Sequence, residues 1–120
     1  MIQLFGTAKC GGTRAAERFF AERGVKIHRV DLKVKPMAKG ELQAVAKANG
    51  GLSSLFDKDG ARAKDKGLHL LSLTDDRLLT LLLDDALLLR TPIVRSGSQA
   101  AVGIAESRWK AFAQEEKERR

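Results

Sequence analysis

One short segment of the sequence carries the residues best suited to chemistry. The run Lys9-Cys10-Gly11-Gly12-Thr13-Arg14 places a thiol beside two flexible residues and a fixed positive charge. Cations and helix N-termini lower the pKa of a thiol, and the thiolate is the nucleophile in both oxyanion attack and disulfide exchange. Backbone N–H groups that turn inward can also cradle an oxyanion. The segment predicts Cys10 as the nucleophile, with these oxyanion-binding residues: Gly11, Gly12, Thr13 and Arg14.

An alternative interpretation makes Cys10 a small buried residue without reactivity, as most free cysteines are. Its glycine and arginine neighbours favour the reactive interpretation. Because the chain has one cysteine, no intramolecular disulfide can form, and thiol chemistry must use an outside thiol. The two histidines, His28 and His69, are predicted to be surface or packing residues, and their spacing from other ligands predicts no metal site.

The elements around Cys10 follow from the hydrophobic pattern. Residues 2–5 are predicted to form a buried strand, residues 14–23 an amphipathic helix that stops at Gly24, and residues 25–30 a half-buried strand. A right-handed crossover would make the two strands parallel. Cys10 would then lie at the carboxyl end of the first strand, where ligands bind in such sheets.

The rest of the chain completes an α/β fold. We expect a helix over 38–48, a loop with a short helix over 53–67, and a helix over 75–83 that begins at Thr74. Residues 91–94 and 100–103 are predicted to form a hairpin, which makes the sheet mixed. A last helix should start near Ala105, and the charged tail, residues 115–120, is expected to fray.

The amino-acid composition narrows the class of protein and its compartment. A chain of 120 residues with 43% hydrophobic and 31% charged content is typical of one globular domain. The absence of a signal-like segment and of a run of ~20 apolar residues predicts a cytoplasmic protein with no membrane association, as does the single cysteine. The net charge of +7 is scattered along the chain, and one Trp and no Tyr offer little for base stacking, which argues against nucleic acid.

Three segments resemble the arsenate reductase-like (ArsC/Spx) family. They are the strand Ile2-Gln3-Leu4-Phe5-Gly6, the loop around Cys10, and Leu89-Arg90-Thr91-Pro92-Ile93-Val94 followed by Val102-Gly103. The similarity extends in matching element order to about Phe112. It implies a thioredoxin-like mixed β-sheet flanked by helices, with a core of about 1–35 and 89–114 and an inserted helical lobe of about 36–88.

The resemblance also implies a reaction. In the glutathione-dependent arsenate reductases, a Cys-Gly-Thr-Ser-Arg loop attacks arsenate, and glutathione and glutaredoxin resolve the adduct. Cys10 and Arg14 keep the spacing of that loop, and Thr13 excludes the Cys-x-x-Cys switch of the family's regulators. The resemblance thus implies no bound cofactor, glutathione as co-substrate, and a small oxyanion or thiol as substrate.

This chain departs from the family at the arginines that hold arsenate. Thr91 stands where one of them precedes the family proline, and Arg90 lies one place earlier. Because side chains alternate along a strand, Arg90 is expected to point away from the site. A second family arginine aligns near the acidic residues 57–59, and a third has no counterpart near 102–104. These departures argue against efficient arsenate reduction.

Other residues are candidates for supporting the site. Base rates favour a trans bond before Pro92, although a proline at this place in such a fold can be cis and pack against the thiol loop. Cations that could replace the family arginines are Lys9, Lys58 and Arg62. The supporting candidates in the loop and before the third strand are Lys9, Arg90, Thr91 and Pro92.

Two function classes follow. The first is a glutathione-coupled thiol oxidoreductase, on arsenate or on a thiol substrate, and it is the one we favour. The alternative is a non-enzymatic regulator that docks on RNA polymerase or another protein partner. The positive net charge of the chain would suit an acidic surface on such a partner. A dedicated partner face is not evident in the sequence.

Overall fold

The computed structural model describes residues 1–119 and shows a mixed α/β domain. Four strands were found in that range: β1 (Ile2–Gly6), β2 (Ile27–Asp31), β3 (Ile93–Ser96) and β4 (Gln99–Val102). The five α-helices of the same range are α1 (Gly11–Glu22), α2 (Lys39–Ala48), α3 (Ala61–Asp65), α4 (Asp75–Asp84) and α5 (Glu106–Glu118).

The strands form one sheet in the order β2-β1-β3-β4. β1 and β2 are parallel, joined by the α1 crossover, whereas β3 is antiparallel to both β1 and β4. The predicted mixed sheet, with β3 and β4 as a hairpin, is confirmed. The arrangement is thioredoxin-like.

The side chains of β1 contribute to two separate hydrophobic cores, one on each face of the sheet. Ile2 and Leu4 pack with Phe20 and Trp109 beneath α1 and α5, and all four are fully buried. Phe5 points to the opposite face of the sheet and joins the core formed with the segment between β2 and β3. That segment contains α2, α3 and α4, and it covers the second face of the sheet.

Most predicted helices lie where the pattern placed them. The Thr74 hydroxyl accepts a hydrogen bond from the Arg77 N–H at 3.3 Å and starts α4, as predicted. α1 begins earlier than expected, at Gly11, because Cys10 already precedes the first helical turn and its carbonyl accepts the Arg14 N–H at 3.2 Å.

The predicted frayed tail is wrong over residues 115–118, which continue α5. Side-chain pairs one turn apart support this end: Gln114 donates to Glu118 at 3.2 Å, and Arg119 pairs with Glu116 at 3.1 Å. The ammonium of Met1 lies 3.5 Å from Glu116 as well. Arg120, the last residue of the predicted tail, lies outside the described residues.

Candidate active site

Cys10 occupies the position predicted for it, between a strand and a helix. β1 ends at Gly6, and a tight turn follows in which the Cys10 N–H donates to the Thr7 carbonyl at 3.2 Å. The chain then enters α1, with Cys10 as the residue immediately before its first turn. Helix N-termini carry unpaired N–H groups and a partial positive charge, so the partly buried sulfur lies where negative charge is stabilised.

The environment of the thiol favours its ionised form. Partial burial raises the pKa of Cys10, but the hydroxyls of Thr13 and Thr91 and the N–H groups of Thr13 and Gly12 favour the thiolate and outweigh burial, so the pKa lies below the ordinary thiol value. The Thr91 hydroxyl donates to Sγ at 3.1 Å, and the thiol faces the Thr91 carbonyl at 3.6 Å. The supporting candidate Thr91 is therefore in direct contact with the nucleophile.

Thr13 contributes a buried hydroxyl to this environment. Its side chain is fully buried against Gly6, where a Cβ would collide with it. Within residues 1–119 its Oγ1 finds no well-formed hydrogen-bond partner, although it lies close enough to the sulfur to lower the thiol pKa. A buried hydroxyl left unpaired is costly, and a thiolate at Cys10 would give this one an acceptor.

Gly12 allows α1 to approach Pro92 closely. A Cβ on Gly12 would lie 2.8 Å from Cδ of Pro92 and 3.3 Å from Cγ1 of Ile104. The Thr91–Pro92 bond is cis, against the trans bond that base rates favour. The first turn of α1 and the segment before β3 therefore meet at the thiol with no room for a side chain between them.

Arg14, predicted as an oxyanion-binding residue, turns back onto the loop. Its Nη1 donates to the Ala8 carbonyl at 2.8 Å, and its Nη2 lies near Gly11. The side chain is exposed, and it does not line the cleft next to Cys10. In this structure Arg14 braces the loop that carries the thiol.

A cleft of about 550 Å³ opens next to Cys10. Two cations proposed as substitutes for the family arginines, Lys9 and Arg62, line it, whereas Lys58 does not. Sequence analysis missed Lys33 and Asp57 as lining residues. Lys33 lies two residues after the end of β2, at the same carboxyl edge of the sheet as Cys10, and that position was a usable signal. The full lining is Thr7, Lys9, Cys10, Lys33, Asp57, Ala61, Arg62, Leu87, Leu89 and Thr91.

A second, more open depression of about 410 Å³ adjoins the cleft at the thiol. It shares Cys10, Asp57 and Thr91 with the cleft and adds Arg90 and Gly103. The prediction that Arg90 points away from the site is wrong, because residues 90 and 91 precede β3 and do not follow strand alternation. Arg90 Nε donates to the Phe56 carbonyl at 3.1 Å, which holds the guanidinium beside the depression.

Asp85 fixes Arg62 at the cleft. Its Oδ2 accepts hydrogen bonds from Arg62 Nε and from Lys66 Nζ, each at 2.6 Å. Partial burial raises the pKa of Asp85, but the hydrogen bonds from Arg62 and Lys66, the Leu87 N–H and the charge of Arg62 hold it below the usual carboxyl value.

Two further searches of residues 1–119 were negative. No group of three or more His, Cys, Asp or Glu side chains is arranged to hold a metal ion. No helix in that range combines the length and apolar character needed to cross a bilayer.

The comparisons with known proteins agree with this architecture. The model of the ArsC family matches residues 5–112. The uncharacterised protein YusI of Bacillus subtilis is 29% identical over 111 residues, which cover 90% of this chain and 94% of the relative.

Solved structures match at lower identity. SACOL0876 from Staphylococcus aureus COL is 26% identical, with a TM-score of 0.77 over 92% of this chain and 97% of that one. An arsenate reductase from Vibrio cholerae is 18% identical, with a TM-score of 0.80 over 92% of this chain and 96% of that one. The second match demonstrates a shared fold.

Proposed function

Because the chain belongs to the ArsC family, we propose that it is a glutathione-dependent thiol oxidoreductase in which the Cys10 thiolate is the nucleophile. The observation that carries the proposal is the place of Cys10 before the first turn of α1, at the mouth of a cleft, where the Thr91 hydroxyl donates to Sγ at 3.1 Å and the pKa of the thiol lies below its ordinary value. A structural cysteine in an apolar interior has its pKa raised, so this environment favours a reactive role.

The groups around the sulfur have distinct roles in the proposed reaction. The N–H groups of Gly12 and Thr13 and the hydroxyls of Thr13 and Thr91 stabilise the thiolate before attack. The unpaired N–H groups at the start of α1, which include Gly11, face charge that develops on the bound substrate. Arg14 acts indirectly, by holding the loop through Ala8.

The proposed cycle uses external thiols because the chain has one cysteine. The Cys10 thiolate attacks the oxidised substrate and forms a covalent adduct as a leaving group departs. For a disulfide substrate, glutathione then attacks the substrate sulfur of the Cys10–S–S–R adduct, and the S–S bond of the adduct breaks to release the mixed disulfide and the Cys10 thiolate. Glutaredoxin and a second glutathione reduce the mixed disulfide, so two glutathione molecules supply the two electrons and become glutathione disulfide. With arsenate, the same two electrons reduce the arsenic of the adduct. This chemistry needs a reduced thiol pool, so we also propose the cytosol as the compartment.

Turnover with glutathione tests the proposal. Arsenate and a neutral hydroxyethyl disulfide are offered with glutathione, glutaredoxin, glutathione reductase and NADPH, and NADPH consumption is followed. We expect turnover with at least one substrate in the wild type and none above background in Cys10→Ser. The variant Lys58→Ala, at an exposed position outside the cleft, is the matched control and should keep full activity.

Equal rates in the wild type and in Cys10→Ser, with a folded variant by circular dichroism, contradict the proposal. In that case the regulator interpretation is favoured, since binding to a protein partner does not need the thiol.

A further inference from the structure

The cleft next to Cys10 contains charges of both signs. Lys9, Lys33 and Arg62 supply three cations, and Asp57 supplies the one carboxylate among the residues that line it. All four side chains are exposed at the cleft surface. A site built for a small oxyanion gathers cations around one point, and a carboxylate beside the nucleophile opposes that design.

The backbone of Asp57 is fixed by hydrogen bonds, and its carboxylate lies against Gly60, where a Cβ would collide with Oδ2. Its N–H donates to the Leu88 carbonyl at 2.9 Å, and its carbonyl accepts the Gly60 N–H at 3.2 Å. The carboxylate makes no hydrogen bond or ion pair with any of residues 1–119. Its charge is therefore available to a bound molecule.

Asp57 also occupies a shared position. It lines the cleft and the second depression, as Cys10 and Thr91 do. Each depression contains at least one cation, Arg90 in the second and three in the cleft. A molecule with two arms that meet at the sulfur of Cys10 would place one arm in each depression and pass Asp57 with both.

The cleft is also large for an inorganic substrate. A volume of about 550 Å³ falls in the range of pockets that hold organic ligands of many atoms. A tetrahedral oxyanion attacked by Cys10 must stay next to the sulfur, in a cleft whose lining also contains the carboxylate of Asp57, which repels an anion. A larger molecule can direct its carboxylates to the cations and an ammonium group to Asp57.

We infer that Asp57 is the specificity-determining residue of this site, and that its substrate is a disulfide whose arms carry an ammonium group as well as carboxylates, as glutathione disulfide does. The inference rests on the proposed function, since it needs Cys10 as the nucleophile. It assigns the substrate class and a residue that selects it.

The reaction balances as two thiol–disulfide exchanges. The Cys10 thiolate attacks one sulfur of R–S–S–R′, the S–S bond breaks, and R′–S⁻ leaves with its electron pair. A second thiol, R″–SH, loses its proton and attacks the R sulfur of the Cys10–S–S–R adduct. R–S–S–R″ is released, and the Cys10 thiolate is restored.

Single-turnover kinetics with charged probes test the inference. Mixed disulfides of thionitrobenzoate with four thiols serve as probes: glutathione, cysteamine, mercaptopropionate and mercaptoethanol. Thionitrobenzoate is the better leaving group, so Cys10 attacks the other sulfur and releases a coloured anion. In the wild type we expect the probe with the glutathione arm to react fastest. The probe with the mercaptopropionate arm should react more slowly than the glutathione probe, because it lacks an ammonium group.

The variant Asp57→Asn removes the charge and keeps the shape. It should slow the glutathione and cysteamine arms roughly fivefold, the factor for one exposed charge pair in water, and leave the neutral mercaptoethanol arm unchanged. Asp59→Asn removes a nearby exposed carboxylate that does not line the cleft, and it should change none of the four rates.

The cation side has a matched pair of variants. Arg62→Gln should slow the two arms with carboxylates, whereas Lys66→Gln, which removes the other cation on Asp85 but does not line the cleft, should not. Equal effects of Asp57→Asn on all four arms, or none on any, overturn the inference. If no arm reacts faster with the wild type than with Cys10→Ser, the proposed function itself fails.

Discussion

Two variants of Thr13, whose hydroxyl is buried, separate effects on the stability of the fold from effects on the reactivity of Cys10. Its Oγ1 has no well-formed partner among residues 1–119 and lies beside the Cys10 sulfur. The variant Thr13→Val removes the hydroxyl and keeps the branched shape, whereas Thr13→Ser keeps the hydroxyl and removes a buried methyl group. The two variants should therefore change the protein in opposite ways.

The magnitudes follow from the contacts. A hydrogen bond to a charged group contributes about 1.5 kcal/mol or more when well formed, and we take about 1 kcal/mol for this poorly formed one at a partly buried thiolate. That value corresponds to roughly a fivefold lower thiolate fraction in Thr13→Val at a pH below the pKa of Cys10. Unfolding free energy should stay within about 1 kcal/mol of the wild type in Thr13→Val, and should fall by about 1 kcal/mol in Thr13→Ser.

Two assays measure both quantities on the same samples. Iodoacetamide alkylation of Cys10 below its pKa reports the thiolate fraction, and urea unfolding reports stability. Ser96→Ala is the control, because Ser96 Oγ is also buried without a partner in the described chain but belongs to the end of β3. It should leave alkylation unchanged. Wild-type alkylation rates in Thr13→Val, or slowed alkylation in Thr13→Ser, would refute the assigned role of the hydroxyl.

Two further predictions concern packing and charge. Gly12→Ala would place a Cβ 2.8 Å from Cδ of Pro92, which is too close for two carbon atoms. The free energy of unfolding should therefore fall by about 1–3 kcal/mol in urea titrations, and an unchanged midpoint would contradict this contact. Asp85→Asn should lower stability by about 1 kcal/mol at neutral pH, because Asp85 has two cationic partners. The pKa of Asp85 is lowered in the folded state, so its contribution is complete above the pKa of the unfolded carboxyl and is lost as pH falls. The gap between variant and wild type should close in acid, and a gap independent of pH would exclude the assigned charge effect.

The parts of the fold that the sequence predicted have local causes. β1 is buried on both faces of the sheet, so its short apolar run is visible in the sequence. Thr74 starts α4 through its own hydroxyl, and Cys10 follows a strand and precedes a helix within a few residues. Each of these signals lies within one element and its flanking residues.

The parts that the sequence did not predict depend on contacts between distant segments. Asp57 and Arg90 share a depression with Cys10 because segments that are distant in the sequence meet there, and no local pattern encodes that. The cis bond at Pro92 is likewise a property of the folded chain. The charge density at the end of the chain suggests fraying, whereas side-chain pairs such as Gln114 and Glu118 support the last turn of α5.

The pH dependence of Cys10 alkylation is the most direct test of the central claim. Rates with iodoacetamide are measured across pH for the native protein and for the same chain unfolded in urea, which serves as the reference thiol. The account predicts that the native profile is shifted to lower pH than the unfolded one, because four neighbouring groups stabilise the thiolate. A native profile that coincides with the unfolded one, or lies above it, would contradict the assignment of Cys10 as an activated nucleophile.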